Sequence, residues 1–71
     1  MKRRDLVLRI TETARGAGLL FRLIRQSAEH ELWELGGTRI TIPRHREINQ
    51  VTAVSIMKAF EAELGKGWWR R

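Results

Sequence analysis

Apolar residues recur with helical spacing near the start of the chain. They lie on one side of the segment 5–15, opposite basic and acidic side chains, as in a helix that packs on a core. Asp5 is near the predicted helix start, where a carboxylate is favourable, and Gly16 or Gly18 is suited to end the helix. The predicted core stripe consists of Leu6, Val7, Ile10, Ala14 and Ala17.

The following segments change to the two-residue alternation that is typical of strands. Residues 27–29 predict a turn, and Gly36 with Gly37 predicts a two-residue hairpin turn. Pro43 is expected to stop the sheet, because proline has no N–H to donate to a strand ladder. The three predicted strands are residues 19–26, 30–35 and 38–42.

A second helix is predicted after the basic loop 43–46. Asn49 is a suitable N-cap, the helix continues through Leu64, and Gly65 ends it. The order α-β-β-β-α predicts an α+β fold, in which a three-stranded antiparallel sheet has both helices packed on one face. The core stripe of the second helix consists of Ala53, Ile56, Met57, Phe60 and Leu64.

The length and composition exclude several classes of protein. A chain of 71 residues allows one small domain and excludes large multidomain enzymes and dinucleotide-binding sheets. It has no Cys, which excludes disulfides, thiolate chemistry and Cys-based zinc sites and favours a reducing setting. No apolar run approaches the roughly 20 residues of a membrane span, and Met1–Arg4 leads into no signal-peptide core. We therefore expect a cytoplasmic protein without a membrane partner.

The net charge is +6, from 14 Lys and Arg against 8 Asp and Glu. The basic residues concentrate in residues 1–25, in 38–46 and in the tail 65–71, whereas residues 26–37 are acidic. Most of the basic residues are Arg, whose planar guanidinium suits phosphate. This pattern favours a polyanion as partner; the alternative is a basic surface that serves only solubility.

Few residues are available for catalysis. No Gly-rich phosphate loop precedes a helix, no two His have metal-ligand spacing, and Ser27 and Ser55 lack a nucleophile signature, so we predict no metal and no cofactor. His30 and His45 remain. Histidine transfers protons near neutral pH, and one such group is enough to cleave RNA, whose 2′-hydroxyl is its own nucleophile. The alternatives are a strand-edge His30 without a role and a loop His45 that caps the second helix or bonds the backbone.

The aromatic residues divide into two groups. Phe21, Trp33 and Phe60 are expected in the core. Trp68 and Trp69 lie beyond the second helix, where they either fold back onto the domain or form a contact surface. We favour folding back.

Three segments carry a family resemblance. They are Met-Lys-Arg-Arg-Asp-Leu at residues 1–6, Arg-Gln-Ser-Ala-Glu-His-Glu-Leu-Trp at 25–33, and Ile-Pro-Arg-His-Arg-Glu-Ile-Asn at 42–49. In this order and spacing they resemble the HicA toxin family of bacterial toxin–antitoxin pairs. The resemblance covers residues 1–65, and residues 66–71 form a short basic aromatic tail.

The resemblance implies a fold like that of a double-stranded-RNA-binding domain, which recognises RNA through phosphates and 2′-hydroxyls. It implies an endoribonuclease toxin, an mRNA interferase that works without a metal. His30 would be the catalytic residue, His45 a supporting residue, and a HicB-like antitoxin the protein partner. The residues that we expect to position RNA phosphates are Arg25, Arg39, Arg44 and Arg46, helped by Lys2, Arg3 and Arg4.

One departure from the family pattern lies directly before His30. The family usually has Gly and a small polar residue there, whereas this chain has Ala28 and Glu29. Glycine allows a positive φ, and Glu29 places a negative charge beside the expected scissile phosphate. Three alternatives stay open: an attenuated or inactive nuclease, a non-catalytic RNA-binding module of the same fold, and a structural partner of the antitoxin.

Overall fold

The structure, a computed structural model, describes residues 1–70. Its helices and strands follow the predicted order, with one additional short helix and a single turn of 3₁₀ helix at the end. The elements are α1 (Arg3–Gly16), β1 (Phe21–Gln26), β2 (His30–Leu35), β3 (Thr38–Pro43), α2 (Gln50–Ala59), α3 (Glu61–Leu64) and the 3₁₀ turn Trp68–Arg70. None of these helices has the length and apolar character needed to cross a membrane.

The three strands form one antiparallel sheet in the order β1-β2-β3, so β1 and β3 are its two edges. The β1–β2 pairing shifts register between Leu23 and Arg25, which interrupts the ladder between these two strands. The sheet ends at Pro43, as predicted, but β3 is one residue longer than the predicted strand, because Pro43 itself is its last residue, opposite His30. The reason is that the next residue supplies the donor, since the Arg44 N–H bonds to the Glu29 carbonyl at 2.8 Å.

Helix α1 begins at Arg3, two residues before the predicted start. Lys2 is extended, and its carbonyl accepts hydrogen bonds from the N–H groups of Asp5 and Leu6 at 3.0 and 3.1 Å. The N–H of Arg3 donates to the Arg46 carbonyl at 2.9 Å. The basic start of the chain is therefore the first turn of α1, and it lies against the loop that precedes α2.

The second helix is capped as predicted, because the Asn49 side chain accepts from the Thr52 N–H at 2.8 Å. The prediction of one continuous helix through Leu64 is wrong. The helix is interrupted at Phe60, which has φ −87° and ψ 4° and bonds to the carbonyl three residues back, that of Met57. Gly65, with φ 96°, ends the helical region as expected.

Both helices contribute to one hydrophobic core on a single face of the sheet. Leu35 and Ile42 lie on that face and are fully buried. Ala17, predicted on the core stripe of α1, is exposed because the helix has already ended at Gly16. The helical residues in the core are Leu6, Ile10 and Ala14 of α1, together with Ala53, Ile56, Met57 and Phe60.

The predicted core aromatics are confirmed. Phe60 is fully buried, while Phe21 and Trp33 are half-buried and packed against the core. The rings of Phe21 and Trp33 stack at 4.5 Å, and Phe21 meets Phe60 edge-on at 5.8 Å.

The aromatic tail folds back onto the domain. Trp68 is 4% exposed, and its indole Nε1 donates to the Met57 carbonyl at 2.8 Å. Trp69 is half-buried, and its ring meets that of Trp68 edge-on at 6.0 Å. The Arg70 guanidinium lies over the Trp69 ring, 5.3 Å from its centroid. The two tryptophans of the tail thus pack on the domain, as predicted.

Replacement of Trp68 tests whether the tail supports the fold. We expect Trp68→Ala to lower the free energy of unfolding by about 3–5 kcal/mol, because it leaves a cavity and removes the bond to Met57. Trp69→Ala should cost less than half as much, since its ring is only half-buried. Urea unfolding followed by circular dichroism measures both, and equal small losses would show that the tail does not contribute to the core.

Candidate nucleic-acid interface

His30 lies at the start of β2 on the open face of the sheet, opposite to the face that carries the helices. Its side chain is exposed and borders a shallow cavity of about 350 Å³. This cavity, which we call the His30 groove, is lined by Arg25, Ser27, His30, Leu32 and Thr41. The structure therefore brings one predicted phosphate-binding residue, Arg25, to the same cavity as the predicted catalytic residue.

The turn before His30 is held by local hydrogen bonds. The Ser27 N–H donates to the His30 carbonyl at 2.9 Å, and the His30 N–H donates to Ser27 Oγ at 3.2 Å. Neither Ala28 nor Glu29 has a positive φ. The turn thus forms without the left-handed backbone that glycine would allow, and Ala28 introduces no strain there.

Arg44 joins this turn to the end of β3. Its backbone N–H bonds to the Glu29 carbonyl, and its guanidinium donates to the Ser27 carbonyl at 2.9 Å. Two hydrogen bonds from one residue fix the position of the turn that carries His30. Arg44, predicted to bind RNA, thereby also shapes the groove.

Glu31, the residue after His30, is a buried charged residue with 7% of its surface exposed. One carboxylate oxygen accepts from the indole of Trp33 at 3.0 Å and pairs with the guanidinium of Arg3. The other oxygen lies 3.9 Å from Arg44 Nε. A buried carboxylate is tolerated only with such partners, so Glu31 ties α1 and the end of β3 to the sheet.

A second cavity, of about 220 Å³, lies beside this ion pair. All of its lining residues are basic, and we call it the basic pocket. Five of the seven residues expected to position phosphate meet here: Lys2, Arg3, Arg4, Arg44 and Arg46.

Arg39 lies elsewhere. On the open face, at the other end of the sheet, its Nε donates to Glu34 at 2.9 Å, and Arg22 donates to the other oxygen of the same carboxylate at 2.8 Å. Hydrogen bonds from Arg22 and then from Arg39 hold the pKa of the Glu34 carboxyl below its ordinary value of 4.5. The structure brings Arg39 to neither cavity, and its charge is matched locally.

His45 is exposed in the loop between β3 and α2. It borders a third, smaller cavity of about 110 Å³ next to the start of α2, together with Asn49 and Thr52. The cap of α2 is Asn49, so the alternative in which His45 caps that helix is wrong. His45 shares no cavity with His30.

The arrangement offers proton transfer and anion binding. His30 is the one imidazole that lines the groove. The Arg25 side chain lines the same groove, and the Arg44 guanidinium is bonded to the turn before His30. Within residues 1–70, no three His, Asp or Glu side chains are placed to hold a metal ion.

The sequence interpretation did not identify Glu31 and Ser27 as parts of the site. The signal for Glu31 was present, because strand alternation puts it on the same face as Trp33 and Leu35, where a carboxylate needs a cationic partner. Which cation that is depends on contacts between distant segments. Ser27 gave no comparable signal.

No protein-family model, curated protein or solved structure matches this chain. The resemblance to the HicA family therefore stays a prediction from the sequence.

Glu31→Gln tests whether the buried carboxylate holds helix α1 and Arg44 against the sheet. The amide keeps the shape but leaves the guanidinium groups of Arg3 and Arg44 without their counter-charge, so we expect a loss of about 1–3 kcal/mol in the free energy of unfolding. Glu29→Gln removes the same charge from an exposed position and should change stability by less than about 0.5 kcal/mol. Equal stabilities of the two variants, measured in urea, would contradict the role of Glu31.

Proposed function

We infer that this chain is a small endoribonuclease that cleaves messenger RNA with His30 as its general acid or base. The observation that carries the proposal is the placement of an exposed imidazole in a groove of the open sheet face, with Arg25 beside it and Arg44 holding its turn. The α+β architecture and the three sequence segments support a HicA-like toxin with the fold of a double-stranded-RNA-binding domain.

The chemistry needs only one protein group because the substrate provides the nucleophile. The 2′-oxygen of a ribose attacks the adjacent phosphorus, the new P–O2′ bond forms, and the bond to the 5′-oxygen of the next nucleotide breaks. His30 accepts the proton of the 2′-hydroxyl or donates a proton to the departing 5′-oxygen, and water completes the other transfer. One positioned group of this kind contributes about 100- to 10,000-fold in rate.

The guanidinium groups have a separate task. Negative charge grows on the non-bridging phosphate oxygens as the reaction proceeds, and Arg25 borders the same groove. A cation at that position stabilises the transition state more than the ground state, because the phosphate charge is larger there. A HicB-like antitoxin is the protein partner that we propose, and it would act in the bacterial cytoplasm by covering the groove.

His30→Ala tests the proposed catalytic residue. We expect wild type to cleave messenger RNA in the presence of EDTA and His30→Ala to lose at least about 100-fold in rate. Stability should be preserved, since the imidazole is exposed and makes no hydrogen bond within residues 1–70. His45→Ala, which changes the other exposed imidazole, should lose far less activity.

The substrate gives an independent control for this experiment. RNA with 2′-O-methyl groups has no nucleophile and should remain intact with wild-type protein. Undiminished cleavage by His30→Ala would exclude His30 from the mechanism. Cleavage of the 2′-O-methyl substrate would exclude the 2′-hydroxyl as the nucleophile.

A second candidate function is a non-catalytic RNA-binding module. The observation that favours it is the exposed Glu29 directly before His30, because a carboxylate there repels the phosphate that must approach the imidazole. The basic pocket would bind RNA equally well in both cases, so affinity does not separate the two functions.

Glu29→Ser separates them by product analysis. If the protein is a nuclease that Glu29 attenuates, the variant should cleave RNA about threefold faster at low salt, and the gain should shrink as salt screens the charge. Intact RNA after long incubation with both folded proteins, together with retained RNA binding, would establish the module instead.

A further inference from the structure

The basic pocket has an excess of positive charge that the protein itself does not neutralise. Arg3 and Arg44 share the carboxylate of Glu31, and Arg4 lies 3.9 Å from Asp5. Lys2 and Arg46 complete the wall, and neither side chain forms an ion pair with another residue in the range 1–70.

Two of the five lining side chains, those of Arg3 and Arg44, are held by contacts that do not involve a ligand. The Glu31 carboxylate pairs with the Arg3 guanidinium, and the Arg44 guanidinium donates to the Ser27 carbonyl. The backbone adds a third tie, from the Arg3 N–H to the Arg46 carbonyl. Cationic groups that are already in place lose little conformational freedom when an anion binds, which favours affinity.

The pocket is large enough for a phosphate group. Its volume of about 220 Å³ is several times the roughly 30 Å³ share of one water molecule in the liquid. A phosphate group with part of its hydration shell therefore fits. Arginine forks recognise tetrahedral phosphate oxygens with paired N–H donors, and four of the five lining residues are Arg.

We propose that the basic pocket is a preformed phosphate site, distinct from the His30 groove, that holds an RNA phosphate away from the cleaved bond. The identity of the ligand as RNA rests on the proposed function, whereas the affinity for phosphate does not. Arg44 connects the two sites, since it lines the pocket and bonds to Ser27, which lines the groove. A strand bound in the groove continues past Arg44 into the pocket.

Titration with inorganic phosphate tests the site on the intact chain. At constant ionic strength, backbone amide resonances of residues 2–4 and 44–46 should shift with a common saturable curve. Lys2→Gln combined with Arg46→Gln removes the two cations without an ion pair and should weaken binding about tenfold, which corresponds to about 1.4 kcal/mol.

The matched control is Arg15→Gln combined with Lys66→Gln. It removes one Arg and one Lys from exposed positions outside both cavities and should change phosphate affinity by less than about twofold, as expected for a distant screened charge. Shifts that spread over all basic residues without saturating, or equal weakening in the two double variants, would overturn the proposal.

Two further arms identify the source of the phosphate and separate this inference from the proposed function. A 5′-phosphorylated oligoribonucleotide that binds better than its 5′-hydroxyl form assigns the pocket to a terminal phosphate, and equal binding assigns it to an internal phosphodiester. His30→Ala should bind inorganic phosphate like wild type. If the protein binds phosphate but does not cleave RNA, the phosphate site is supported and the proposed nuclease is not. If it cleaves RNA but does not bind phosphate, only the phosphate site is refuted.

Discussion

A single buried carboxylate connects helix α1, the central strand β2 and the residue that follows β3. Glu31 lies on the packed face of the central strand β2, with the Arg3 guanidinium and the Trp33 indole on one carboxylate oxygen and Arg44 near the other. Removing a charge from water is unfavourable unless its partners are close and correctly oriented. The position of α1, the end of β3 and the turn before β2 therefore depend on one another.

The pleat of β2 assigns opposite tasks to neighbouring residues. His30 is exposed on the open face, and Glu31, the next residue, is buried on the packed face. Successive side chains of a strand always point to opposite faces. The result is that the reactive candidate and the group that anchors its surroundings are adjacent in sequence, so the anchoring network acts on the backbone that presents the imidazole.

Local signals in the sequence predicted the order of the first helix, the three strands and the start of the second helix, whereas non-local contacts decided the rest. Asn49 and the Gly36–Gly37 turn act within a few residues, and both were predicted correctly. The interruption at Phe60 was not predicted, because the helical spacing of apolar residues continues past it to Leu64. The division of the basic residues between a groove and a pocket depends on tertiary contacts, although the hairpin register already places Arg39 opposite Glu34.

The edges of the sheet have a consequence for self-association. A strand at an edge normally offers a continuous row of backbone groups to any other extended chain. Here β1 has a register shift between Leu23 and Arg25 in its pairing with β2, and β3 ends on Pro43, which has no N–H. A bulge and a proline both disfavour the addition of another strand, so the sheet is poorly suited to polymerise through either edge.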